Sequence, residues 1–223
     1  MRYVFQFGVV ADHWPALVAG ALATLRLSLL AMAFGLAIAI LCAFLRRGAP
    51  RPIALGVATY VEIIRNTPLL VQLFIIYFSL PGLGIRLEAE EAAVLGLSLN
   101  LGGYATEILR AGLDAIPKGQ IEAGRALGLT RLQIFRLIML FPALRIVYPA
   151  LASQFVILLL GSSIVSAISA PELTGVTNTL QSTTFRAFEF YFVATGLYLL
   201  MAIAVRLALD GIQWLVFVRG RAW

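Results

Sequence analysis

EAGRALGLTRLQIFRLI, residues 122–138, spells two short helices around a glycine turn, with apolar side chains spaced to pack the helices together. Taken alone, that is the pattern of a helix-turn-helix DNA reader, in which Arg125, Arg131 and Arg136 would be candidate phosphate contacts. The fold class depends on where this stretch stands: in solvent or against a membrane.

Composition favours the membrane. The chain has 223 residues, 61% hydrophobic and 13% charged, against roughly 45–50% apolar and 25% charged in soluble domains. A net charge of +6 suits nucleic acid, but it also suits loops that obey the positive-inside rule. The single cysteine, Cys42, sits in an apolar run, so no disulfide framework or cysteine metal site is expected. The single histidine, His13, precedes the first long apolar segment and leaves no histidine at membrane depth for a proton relay or a serine protease. The opening MRYVFQFGVVADHWPAL has one early charge and no short apolar core before a small-residue cleavage site, so no removable signal peptide is expected.

A membrane-crossing helix takes about 20 mostly apolar residues. Five stretches qualify: 17–45, 53–80, 90–115, 146–169 and 187–217. Residues 132–144 are also apolar, but they are short and carry Arg136, which fits an interfacial or buried helix better than a span. Arg46, Arg47 and Arg51 follow the first span. Arg110, Lys118, Arg125, Arg131, Arg136 and Arg145 follow the third, and Arg219 and Arg221 end the chain. The opposite side holds Arg2, Arg86 and Arg186, with Glu88, Glu90, Glu91, Glu172 and Glu189 nearby. The positive-inside rule therefore predicts an external N-terminus and a cytoplasmic C-terminus. Residues 116–145 become a cytoplasmic loop, long for a helix connection and tethered at both ends, where entry into a DNA groove is barred. No nucleic-acid partner is expected; the bilayer is.

Within that loop, Pro117 suits the first turn of a helix over 118–127, and Gly128 suits the left-handed position beyond it. Thr130 followed by Gln133 is a capping box that starts a second helix, running toward Pro142. The product is a stiff elbow along the membrane face. The small residues Ala123, Gly124 and Ala126 either admit a partner's surface closely or let the elbow pack on its own spans.

At this point the chain resembles the membrane subunits of ABC-type importers, in particular polar amino-acid permeases of the histidine and glutamine type. Their signature, E-A-A, three residues, then G, stands here as Glu122, Ala123, Gly124 and Gly128. YVEIIRNTPLLVQLF at 60–74, LSLNLGGYATEILRAGL at 97–113, IPKGQIEAGRALGLT at 116–130 and SIVSAISAPEL at 163–173 extend the resemblance over most of the chain. It implies an all-α polytopic fold of the type I importer permease kind: one transmembrane domain over 1–223, five spans, and a cytoplasmic coupling loop at 116–145 in a bacterial inner membrane. It also implies that Gln120, Glu122, Ala123, Gly124, Arg125, Gly128 and Leu129 form a coupling helix and its cap, which dock in a groove of a separate ATPase. The implied partners are an ATPase dimer that binds ATP and Mg, a second permease subunit, identical or related, and an external solute-binding protein. No G-x-x-x-x-G-K-S/T phosphate loop occurs in the chain, so no cofactor is expected in it, nor any catalytic or metal site.

Two i,i+3 pairs, Glu62 with Arg65 and Glu107 with Arg110, are expected to meet as structural ion pairs near the cytoplasmic interface. Pro68 should kink the second span, with Asn66 and Thr67 positioned to satisfy freed backbone groups or to line a cavity. Asn100 and Gln154, in spans three and four, are candidates for the substrate pathway or for inter-helix hydrogen bonds. Ser162 and Ser163 join the pathway candidates. Related permeases carry K-D-T-S where this chain has Leu160, Gly161, Ser162 and Ser163, so the acidic position is Gly161. That implies a substrate other than a basic amino acid, or a paired subunit that supplies the carboxylate. Phe141 and Pro142 stand where relatives have P-Q, and Gly124 replaces the second alanine of E-A-A.

The expected function is an importer's permease subunit for a polar amino acid or related small solute. The alternative from another class is a membrane anchor or signalling module whose elbow recruits a soluble partner without transport. An intramembrane serine protease at Gly161 and Ser162 lacks its histidine.

Overall fold

The computed structural model describes residues 3–219. Arg2 and Arg221, counted above among the terminal charges, lie outside the described residues. A short helix α1 (Gly8–Asp12) leads into α2 (Trp14–Gly48), which starts with a proline in its first turn and ends on Arg46 and Arg47. Cations in a last turn complement the negative end of the helix dipole. Helix α3 (Arg51–Arg65) and α4 (Leu69–Leu83) follow, then α5 (Ala89–Asp114), α6 (Lys118–Ala126), α7 (Arg131–Ile168), α8 (Leu173–Thr184) and α9 (Ala187–Phe217). Among the described residues no strand occurs.

Helices α2, α5, α7 and α9 are each long and apolar enough to cross a membrane. Helices α3 and α4 qualify only together, as one span bent by 110°. The kink expected at Pro68 is thus a full break. Pro68 does not continue α3, because its missing N–H and its ring make an internal helical position costly, and it serves instead as N-cap of α4.

Residues 132–144, expected as a separate interfacial or buried helix, belong to α7, which runs unbroken from the elbow through the fourth span. Pro142 does not stop it. The turn just before, Ile134–Met139, is widened to a π turn, the kind of local rearrangement that absorbs a missing i→i−4 bond. Pro149 is likewise accommodated inside the helix.

The bundle centres on α5, whose most apolar window is 56% buried, whereas the corresponding window of α9 is 11% buried and faces outward. Helices α2 and α5 run parallel and pack through small residues. A Cβ on Gly102 would stand 2.6 Å from Ile38 and 2.8 Å from the Tyr60 hydroxyl, so glycine is what allows this approach. Ion pairs mark both ends of the seam: Arg26 with Glu90 at 3.2 Å, and Arg46 with Glu107. Twenty residues of α2 separate the two arginines, about 30 Å of helix at 1.5 Å per residue and close to the thickness of a bilayer's hydrocarbon core.

Candidate functional site: the elbow and the broken span

Helix α6 starts after Pro117 and is closed two residues beyond Ala126 by Gly128, which adopts φ 76°, the left-handed conformation glycine takes without strain. The Gly128 N–H donates to Arg125 O at 3.0 Å and the Leu129 N–H to Gly124 O at 3.1 Å, the paired bonds of a Schellman cap. One residue later the capping box closes. The Thr130 N–H donates to Gln133 Oε1 at 2.8 Å, and the Gln133 N–H returns to Thr130 Oγ1 at 3.4 Å. Leu129 and Ile134, flanking that cap, both join an apolar cluster built on Ile116, Ile134, Met139 and Ala143, the arrangement of a hydrophobic staple. The two arms of the elbow are therefore fixed to each other by hydrogen bonds and by packing.

The elbow sorts its small residues by direction. Gln120, Glu122, Ala123, Arg125 and Gly128 are exposed, and Leu129 is half-buried. Gly124 is turned inward and buried, and a Cβ there would lie 2.5 Å from Ile138 Cδ1. Gly124, grouped above with the docking residues, therefore packs against its own chain. Leu127, at 79% exposure, adds an apolar tip that composition did not single out.

Above the elbow, Glu107 and Arg110 meet through two bonds, Nε to Oε2 at 2.9 Å and Nη2 to Oε2 at 2.7 Å. Arg110 also donates to Asp114 at 2.8 Å, and Arg46 on α2 donates to Glu107. Glu62 and Arg65 do not pair. The Glu62 carboxylate accepts from Asn66 Nδ2 at 3.0 Å, and the Arg65 guanidinium lies 5.8 Å from the centroid of the Tyr104 ring. The helix ends at Arg65, so Asn66 folds back onto Glu62 while an aromatic face takes the cation.

At the break, Asn66 and Thr67 are exposed, and the Thr67 hydroxyl donates to Ile63 O at 2.7 Å. Gln72, which the sequence reading passed over, is the organising side chain. Its Nε2 donates to Ile64 O at 2.9 Å, Thr67 O at 3.1 Å and Thr67 Oγ1 at 2.8 Å, while its Oε1 accepts from Asn100 Nδ2 at 3.0 Å. Of the two roles open to Asn100, the geometry displays the inter-helix hydrogen bond. The signal for Gln72 was present as one amide inside the apolar run LLVQLF.

Gln154 is half-buried and makes no side-chain hydrogen bond among the described residues. Ser162 is fully buried, donating to Leu159 O at 2.7 Å, and half-buried Ser163 donates to Leu160 O at 2.9 Å. Both lie in the tight 3-10 end of α7. A Cβ on Gly161 would meet nothing within 4 Å.

A second carboxylate site stands at the opposite end from the elbow. Glu172 is wholly buried and caps α8, accepting from Thr174 N at 2.8 Å, Gly175 N at 2.7 Å and the Tyr198 hydroxyl at 2.6 Å. Burial pushes its pKa above the ordinary 4.5, and the three donors oppose that shift.

A family model described as binding-protein-dependent transport system inner membrane component matches residues 35–213. The chain is 39% identical over 165 residues to the L-cystine transport system permease protein TcyB of Bacillus subtilis, covering 74% of this chain and 70% of that one. It is 37% identical over 212 residues to the glutamine transport system permease protein GlnP of Escherichia coli, covering 94% and 96%. A solved structure of an amino acid ABC transporter with histidines superposes with a TM-score of 0.88 at 34% identity, covering 95% of this chain and 99% of that one. An inward-facing MetNI methionine ABC transporter superposes at 0.75 and 25% identity, covering 92% and 98%. The match runs from the middle of α2 through nearly all of α9 and takes in the elbow and the broken span: this chain belongs to the family of inner-membrane components of binding-protein-dependent transport systems.

Proposed function

We propose that the chain is the permease subunit of an importer for a neutral polar amino acid or a close relative, and that α6 is the surface on which a separate ATPase acts. The observation that carries this is the construction of the elbow. An exposed face bearing Gln120, Glu122 and Arg125 is locked through the Gly128 cap to α7, one helix that continues to Ser162 and Ser163. A displacement of α6 is thereby passed into the same helix that forms the fourth span. ATP and Mg reside in the partner, and residues 116–145 face the cytoplasm together with Arg46, Arg47 and Arg110. The N-terminus lies outside and the C-terminus inside.

The pathway runs between this subunit and a second permease subunit, with Asn66, Thr67, Gln154 and Ser163 as its polar lining. A neutral solute accords with Gly161, where relatives place a carboxylate and where this chain leaves open space. An external binding protein delivers the solute, and the subunit makes and breaks no covalent bond.

Glu122→Lys tests the assignment of α6. Glu122 is exposed, so membrane insertion and thermal stability should match the wild type, while solute-stimulated ATP hydrolysis and uptake fall at least tenfold, roughly the cost of reversing one interfacial charge. Wild-type uptake in that variant, with the ATPase still bound, would remove α6 from the mechanism.

A further inference from the structure

Between the inner ends of α2 and α5 lies an open pocket of about 200 Å³, lined by Ala43, Arg46, Arg47, Arg110, Leu113 and Asp114. Its charges do not cancel. Arg46 and Arg110 share Glu107, and Arg110 also takes Asp114 at 2.8 Å. Arg47 reaches only Asp114, at 3.7 Å, and its side chain is 48% exposed. Three guanidinium groups thus stand around two carboxylates that closer arginines already engage, which leaves Arg47 with excess positive charge and spare donors.

The same side of α2 leads from this pocket along the bundle. Ile40, Ala43, Phe44 and Arg47 follow the i, i+3, i+4, i+7 spacing of one helix face, and Ile40 and Phe44 are 56% and 71% exposed. A small soluble anion would use only the charged pocket. A phospholipid would use both parts, its phosphate on the guanidinium groups and an acyl chain along Phe44 and Ile40.

We infer that this pocket binds the phosphodiester headgroup of an anionic phospholipid, with Arg47 as its principal donor and Arg110 as its second. Basic pockets between membrane helices recognise anionic headgroups by this combination of charge and apolar track. Asp114 is the competing carboxylate: it holds Arg47 loosely when the lipid is absent and is displaced from it when the lipid binds. The site concerns the seam between α2 and α5, so it stands or falls apart from the identity of the transported solute.

Native mass spectrometry of the purified full-length chain, titrated with phosphatidylglycerol or with phosphatidylcholine of the same acyl chains, tests this. The wild type should retain phosphatidylglycerol preferentially. Arg47→Gln should lower that retention about fivefold, the fold-change expected for one basic side chain at a membrane surface, and leave phosphatidylcholine retention unchanged. Asp114→Asn should raise phosphatidylglycerol retention, because it frees Arg47. Equal retention of the two lipids, an unaltered Arg47→Gln variant, or displacement of phosphatidylglycerol by inorganic phosphate would overturn the inference. If Arg47→Gln does not fold, Asp114→Asn decides: a gain supports the lipid site, and no gain or a loss removes it.

Discussion

Gly124 and Glu122 are two residues apart on one short helix, yet they face different chemistry. Glu122 is exposed. Gly124 points at Ile138, whose Cδ1 would lie 2.5 Å from an added Cβ. Gly124→Ala should therefore destabilise the detergent-solubilised protein by less than about 1 kcal/mol, because the helix-propensity gain of alanine offsets most of the cost of moving the terminal methyl of half-buried Ile138. Adding Ile138→Val removes Cδ1 and should restore most of that loss, measured as recovery of thermal unfolding temperature. A double variant no better than the single would show that Ile138 does not set the glycine. The exchange was legible in the sequence as a departure, but its cause was not, because Ile138 lies on the second arm and reaches Gly124 only after the elbow closes.

At the scale of elements, the break between α3 and α4 depends on one amide. Gln72 supplies hydrogen bonds to Ile64 O and Thr67 O that the interrupted helix leaves open, and ties the bend to Asn100 on α5. Gln72→Leu keeps the volume and removes every one of these bonds. It should cost about 1–3 kcal/mol for the polar groups left unpaired and should slow uptake, with assembly checked by size-exclusion chromatography. Unchanged stability would show that the bend is held by Pro68 alone. Local grammar made Pro68, Gly128 and the Thr130 capping box readable in advance, since each acts through its own backbone. A 110° bend was not readable, because proline specifies an interruption and the tertiary contact of Gln72 specifies the direction the chain then takes. Pro142 shows the opposite limit: the same residue type is absorbed by a π turn, and the elbow's second arm and the fourth span become one helix. Spacing also misled at Glu62 and Arg65, because i,i+3 places two side chains within reach without ranking that contact above Asn66 or Tyr104. Arg46 and Glu107 pair across 61 positions, which no local pattern announces.

Across the whole molecule, the two ends of the bundle are built differently. The elbow end carries a partly exposed ionic network around Glu107, while the opposite end buries Glu172 beneath α8 and Tyr198. A carboxyl whose folded pKa is raised binds its proton more tightly when folded. Its contribution to stability is complete below the unfolded value and is lost as pH rises through the raised one. Relative to the non-titrating Glu172→Gln variant, the wild type should thus lose thermal stability as pH rises from 4 through the region above 4.5. A pH-independent difference between the two would place Glu172 at its ordinary pKa. Hydropathy made the membrane class and the four to five candidate spans readable from composition upward, because those properties depend on the solvent and not on which helices touch. The central claim is that α6, docked on an ATPase, drives solute movement through the bundle. It is tested most directly by measuring solute accumulation in proteoliposomes that contain this chain, its paired permease subunit and the ATPase. Accumulation should require ATP on the elbow side and the binding protein on the other, and should be abolished by Glu122→Lys without loss of the assembled complex. Accumulation without ATP, or an ATP-bound complex that recruits partners yet moves no solute under any of these conditions, would contradict it.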